Sequence, residues 1–145
     1  MVGYSGTPLA RKLGIKPGHR VALVSAPPGF ESQLEGLPDE VSLARQVRGT
    51  LDVIVMFVDR AAELGARFAS LARRLDPAGG LWVAWPKKAS GRATDLTENV
   101  VREIGLAAGL VDNKVCAVDE IWSVLRFVVR VADRPSARGS SSPKK

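Results

Sequence analysis

Lys87, Lys88 and Arg92 place three cations in the loop 86–93. Such a cluster is the chemistry of an anion-binding loop, with fixed positive charge facing a phosphate or carboxylate. Its plainer use is a solvated charged loop. Asp59 follows the apolar run 51–58. A carboxylate at a strand end can act as a general base, although the commoner use of Asp there is to cap the next helix. Ser25 and Ser90 lie in Ser-Ala and Ser-Gly contexts, and neither is a G-x-S-x-G elbow. The single histidine, His19, precedes the first strand, at the opposite end of the sheet from the strand-end loops. That leaves no Ser–His pair. Cys116 is the single cysteine, which excludes an internal disulfide and leaves no Cys/His zinc set. It is read as a small core residue. Trp85 stands just before Pro86 and Lys87, where an aromatic ring can stack on a planar ligand. Trp82 and Trp122 are read as sheet packing. No catalytic residue, metal or cofactor is assigned.

The elements that would position these residues are legible as punctuation and period. Residues 7–15 form a short helix with Thr7 as cap, Pro8 in the first turn and Gly14 at its end. Residues 20–26 (RVALVSA) read as a buried parallel strand because the apolar run is continuous. Pro27, Pro28 and Gly29 stop it, and 30–36 is a short helix. Residues 41–47 alternate, as a strand near a sheet edge does. Residues 51–58 (LDVIVMFV) are the clearest strand. A helix follows to about Leu75, with Leu64, Phe68, Leu71 and Leu75 as its buried stripe and Pro77, Gly79 and Gly80 ending it. Residues 81–85 form a short strand. A helix then starts near Thr94 or Asp95, with Asp95 and Glu98 as a capping box and Val100, Ile104 and Ala107 as its apolar face. Residues 113–118 and 121–131 make an antiparallel hairpin turning at Asp119 and Glu120.

This order predicts an α/β fold: one mostly parallel Rossmann-like sheet with a C-terminal antiparallel β-hairpin. A single domain spans 1–133, and 134–145 is a disordered basic tail. Ligands of such sheets bind beyond the carboxyl ends of the strands. Three loops should converge there: 27–30, 59–60 and 86–92. The candidate ligand-binding residues are therefore Ser25, Pro27, Gly29, Asp59, Trp85, Lys87, Lys88 and Arg92.

The chain of 145 residues carries a net charge of +6. Most of that charge sits at the ends. Arg11, Lys12, Lys16 and Arg20 face no acid in the first 20 residues, and Arg134, Arg138, Lys144 and Lys145 face none after residue 133. A nearly neutral body argues against a nucleic-acid-binding face on the folded core. No apolar run is long enough to span a bilayer, and the amino terminus lacks the apolar stretch of a secretory signal. With its lone thiol, the chain is expected in the cytoplasm.

The opening LGIKPGHRVALVSAP (13–27) and the turn LDPAGGLWVAWPK (75–87) resemble the first-strand and fifth-strand motifs of class I methyltransferases. The resemblance implies a methyltransferase-like Rossmann fold. It also implies a glycine-rich loop after the first strand and an acid ending the second, which together hold S-adenosylmethionine. Here the loop is Ser25-Ala26-Pro27-Pro28-Gly29, and the second strand ends in Gln46-Val47-Arg48, so both halves of that signature are missing. One strand–helix unit is also expected to be absent. Across nearly its whole length the chain is similar to a bacterial family of uncharacterised proteins classed as a domain of unknown function. The phrases that carry this are GYSGTPLARKLGIKPG (3–18), LWVAWPKKASG (81–91), TDLTE (94–98) and GLVDNKVCAVDEIWSVLRF (109–127). That similarity implies no particular activity.

The reading that follows is a non-catalytic binding or regulatory module that takes a small anionic ligand or a protein partner. One alternative is a small enzyme acting on an anionic substrate, with Lys87 or Lys88 as the electrophilic group and Asp59 as base. Another is weak nucleic-acid association through the basic ends.

Overall fold

The computed structural model describes residues 8–34 and 36–134. The strands are β1 (Arg20–Val24), β2 (Ser42–Ala44), β3 (Leu51–Phe57), β4 (Leu75–Pro86), β5 (Leu110–Ala117) and β6 (Trp122–Val129). The helices are α1 (Leu9–Lys12), α2 (Ala61–Ala72) and α3 (Glu98–Ala107). One six-stranded sheet runs in the order β2-β1-β3-β4-β6-β5. β2, β1, β3 and β4 are parallel, and β6 and β5 close the sheet as an antiparallel hairpin. The expected α/β sheet with a C-terminal hairpin is the observed one.

Alternation along the strands divides the core into two layers. Ala22, Ile54, Met56, Val83, Leu125 and Phe127 face α2 and α3. Val21, Leu23, Val53, Val55, Trp82 and Val124 face the other way, against Leu13, Phe30 and Leu34. α2 buries Leu64, Phe68 and Leu71, each worth about 1.5–3 kcal/mol when fully removed from water. On the second face, among the described residues, no long helix joins β1 to β2. A single 3-10 turn, Phe30–Gln33, takes its place, and Phe30 is 1% exposed beneath it.

Several boundaries differ from the sequence reading, each for a local reason. α1 is one turn, and Gly14 ends it at φ +76 with Gly14 N–H donating to the Arg11 carbonyl and Ile15 N–H to that of Ala10. This left-handed closure is one that glycine takes without a Cβ penalty. The proposed cap Thr7 lies outside the described residues. β2 is three residues long, so the parallel strand ends at Ala44 rather than at Arg48.

α2 stops at Ala72, and Leu75 opens β4 instead of closing the helix stripe. Leu51 pairs with Leu75 and Val53 with Gly80, so residues 76–79 bulge out between two neighbouring pairings. The Asp76 carboxylate accepts the Ala78 amide across that bulge at 2.8 Å. A Cβ on Gly79 would run into the Asp52 carbonyl, which is why the pair of glycines marks a bulge here and not a helix end.

α3 starts at Glu98, capped by Thr97, whose hydroxyl accepts the Val100 amide at 3.2 Å. Val101 and Gly105 are its buried residues, with Val100 and Ile104 half-buried beside them and Ala107 exposed. Gly105 lies directly on the Phe127 ring. The hairpin starts earlier and ends sooner than expected, β5 at Leu110 and β6 at Val129. Of the proposed basic tail 134–145, all but Arg134 lies outside the described residues. Among the described residues no helix is long and apolar enough to cross a membrane.

Candidate functional site

β1 and β3 are parallel neighbours, so their carboxyl ends open on one side of the sheet. A cleft of about 400 Å³ lies there, within the range of small-molecule sites. Four of the eight proposed site residues line it: Ser25, Pro27, Asp59 and Arg92. Ser25 is exposed and held at φ +59, a left-handed conformation uncommon for a residue with a side chain. Such strain persists only where the surroundings impose it. Here Pro27 and Pro28 follow at once, and Phe30 is locked into the core.

The other four stand elsewhere. Gly29 takes φ +81 as the residue before the Phe30 turn, so its part is conformational. Trp85 is 5% exposed and lies in the layer under α2 and α3. Alternation along β4 puts it with Leu81 and Val83 beneath the helices, outside the cleft lining. Lys87 and Lys88 enter a 3-10 turn outside the cleft lining. The Lys87 amide donates to the Ile121 carbonyl at 2.7 Å, fastening this turn to the hairpin. The basic cluster of the sequence is thereby split, and only Arg92 reaches the site.

What the residue pattern missed is Trp122. It pairs with Pro86 across the antiparallel register, which brings it to the carboxyl end of β4 from the opposite strand direction. Its ring meets Phe57 edge-on at 5.0 Å, and Phe57 meets Phe30 at 4.8 Å. The Arg92 guanidinium lies over the indole, 5.1 Å from its centroid, a cation–π contact. Asp119 sets this geometry, because one carboxylate oxygen accepts the amides of both Ile121 and Trp122, at 2.8 and 2.9 Å. The Asp119-Glu120 turn was visible in the sequence; the partner facing Trp122 was not.

Asp59 does not cap α2. The helix starts at Ala61 with Arg60 as cap residue and no side-chain cap. The Ala61 amide instead donates to the Asp95 carboxylate at 2.8 Å. Thr94 completes the link: its hydroxyl donates to the Asp59 carbonyl at 2.7 Å and accepts the Leu96 amide at 3.0 Å. Asp95 is therefore the cap of α2, not part of a box on α3. The Asp59 carboxylate has no hydrogen-bond partner among the described residues and stays available to the cleft. Glu63, from the first turn of α2, also lines it and is 3.8 Å from Arg67. The lining thus carries two carboxylates, one of them beside Arg67, and one guanidinium.

Behind the cleft, Arg45 holds the turn that follows β1. Its Nε and Nη2 donate to the two Glu31 oxygens at 2.8 and 2.9 Å, and Nη1 donates to the Ala26 carbonyl at 3.1 Å. The paired guanidinium holds the Glu31 carboxyl below its ordinary value. Arg45 directly follows β2, so the second strand ends in a cation already committed to its neighbour.

Solved structures share this fold at low identity. Magnesium protoporphyrin IX methyltransferase from Synechocystis PCC 6803, solved with bound SAH, aligns at TM-score 0.56 and 14% identity over 84% of this chain and 79% of its own. A SAM-dependent methyltransferase from Aquifex aeolicus aligns at 0.55 and 18% over 83% and 88%. Ribosomal protein L11 methylase from Lactobacillus delbrueckii subsp. bulgaricus aligns at 0.53 and 13% over 83% and 74%. No family model matches the chain, and no curated protein matches it in sequence. The chain has the fold of class I S-adenosylmethionine-dependent methyltransferases.

Proposed function

We propose that the chain is a non-catalytic binding module on a methyltransferase-like fold, with its ligand seated in the cleft above β1 and β3. One observation carries this reading: the turn after β1 is closed by its own residues. Pro27 and Pro28 remove two amide donors from the stretch where a cofactor needs approachable backbone. Arg45 takes the place where the fold's cofactor-binding members carry an acid for ribose hydroxyls, and it is spent on Glu31 and Ala26.

The lining also redirects the ligand class. Asp59 and Glu63, the latter beside Arg67, face Arg92, and Lys87 and Lys88 stand outside the lining. A small neutral or cationic molecule with hydrogen-bond donors fits such a cleft better than an anion does, because like charge disfavours binding in a partly desolvated site. The alternative of an enzyme on an anionic substrate, with Lys87 and Asp59 as its working groups, loses the lysine.

A second reading keeps S-adenosylmethionine as ligand. It is favoured by the open cleft at the strand ends and by the unpartnered Asp59 carboxylate. Titration calorimetry with S-adenosylmethionine and with S-adenosylhomocysteine separates the two. The binding-module reading expects no heat of binding at submillimolar ligand. Micromolar affinity that falls in an Asp59→Asn variant overturns it in favour of the second.

A further inference from the structure

A second cavity, of about 360 Å³, lies between the start of β1, the short strand β2 and the return 45–50 that leads into β3. It belongs to the other end of β1 from the cleft. Arg20 and Arg48 line it with Ser42 and Gln46, and Val21 and Leu51 supply an apolar part. No acidic residue is among its lining. Neither arginine side chain has a carboxylate or hydrogen-bond partner among the described residues, whereas Arg45, Arg67 and Arg102 each have one.

The cavity is shaped by its chain path. β2 pairs with only the first three residues of β1, so six residues suffice to return from Ala44 to Leu51. Within that return Gly49 has φ +64. The Arg20 guanidinium lies against its backbone, where a Cβ would stand 2.7 Å from Nη2. The absence of a side chain at 49 therefore gives the guanidinium its resting place. The Arg20 amide is held separately, donating to the Asp52 carboxylate at 2.8 Å. That carboxylate is turned to the main chain of Arg20.

Two guanidinium groups at one concavity repel each other unless something negative stands between them. A planar fork of donors matches the oxygens of a carboxylate or phosphate, and a hydroxyl and a carboxamide add neutral donors. We propose that this cavity is an oxyanion site, which takes the phosphate or carboxylate of a small organic molecule whose apolar part rests on Val21 and Leu51. It does not rest on the proposal for the cleft, since the two share no residue.

The test titrates the full chain with pyrophosphate and with citrate at low ionic strength, followed by calorimetry and by the arginine Nε resonances in NMR. The expected result is one-to-one binding of at least one of the two, with shifts at Arg20 and Arg48. Pyrophosphate alone identifies a phosphate ligand, citrate alone a carboxylate ligand, and both together an oxyanion site without preference. Arg20→Met and Arg48→Met keep the apolar stems and remove the charge. Each should weaken binding about tenfold or more, while Asp59→Asn in the other cleft should leave it unchanged. Urea unfolding of each variant separates lost binding from lost fold. Absence of binding at millimolar ligand, shifts confined to other arginines, or wild-type affinity in both variants overturns the proposal.

Discussion

The Asp95 carboxylate accepts the amide of Ala61, 34 residues earlier in the chain, at 2.8 Å. A loop that precedes α3 thus caps the amino end of α2, and the cap is non-local although both partners are short polar groups. Replacing such a cap by alanine costs about 1 kcal/mol. Asp95→Ala is therefore expected to lower stability by about that amount, and Asp95→Asn by much less. Asp59→Ala, at the position where a sequence pattern puts the cap, should leave stability near the wild-type value. Urea denaturation of the three variants distinguishes the two assignments.

Gly105 on α3 lies on the Phe127 ring, which is itself wholly buried and edge-on to Phe68 at 5.1 Å. Alanine in an exposed helix interior would gain about 1 kcal/mol over glycine. Here the added methyl meets a ring with no space to retreat, and overpacking of that kind costs about 1–3 kcal/mol. Gly105→Ala is expected to be net destabilising, read as a lower urea midpoint. A higher midpoint would mean that α3 is free to lift off Phe127.

Glu31 titrates below its ordinary value because Arg45 hydrogen-bonds its charged form. The sign follows from linkage: a depressed carboxyl contributes stability above its unfolded value and loses it as pH falls through the lowered one. The turn after β1 should thus stay fastened at pH 5 and loosen only in stronger acid. Glu31→Gln should show the loosened turn at neutral pH. Amide hydrogen exchange of residues 26–34 across pH reads both outcomes.

The Cys116 thiol is pushed up by burial, which Lys12 and Lys114 offset only in part. The thiolate is the reacting form. Alkylation of the native chain with iodoacetamide is expected to rise with pH along a curve displaced to the alkaline side of the same residue in urea. Coincident curves would place the thiol in open solvent.

Continuous apolar runs announced β1 and β3 within a residue or two, because a strand buried on both faces has no alternation to misread. The first half of β4 escaped, since Asp76, Pro77, Gly79 and Gly80 have the composition of a turn. Only the pairing of Leu51 with Leu75 makes them a bulge. The site was half legible for a related reason. Ser25 directly follows β1 and Asp59 comes two residues after the end of β3, so position alone brings them to the cleft. Trp85 and Trp122 were decided by strand parity and by antiparallel register. Both depend on which strands become neighbours, and no local signal carries that.

Between β1 and β2 a 3-10 turn that carries Phe30 covers the second face of the sheet. Phe30 touches Phe57, which in turn touches the Trp122 ring at the cleft wall. Phe30 shares that cover with Leu13, Ile15 and Leu34, all buried in the same layer. Any molecule that settles in the cleft will press on a row of three rings rather than on a rigid rod, and the turn that carries Phe30 will feel it through them.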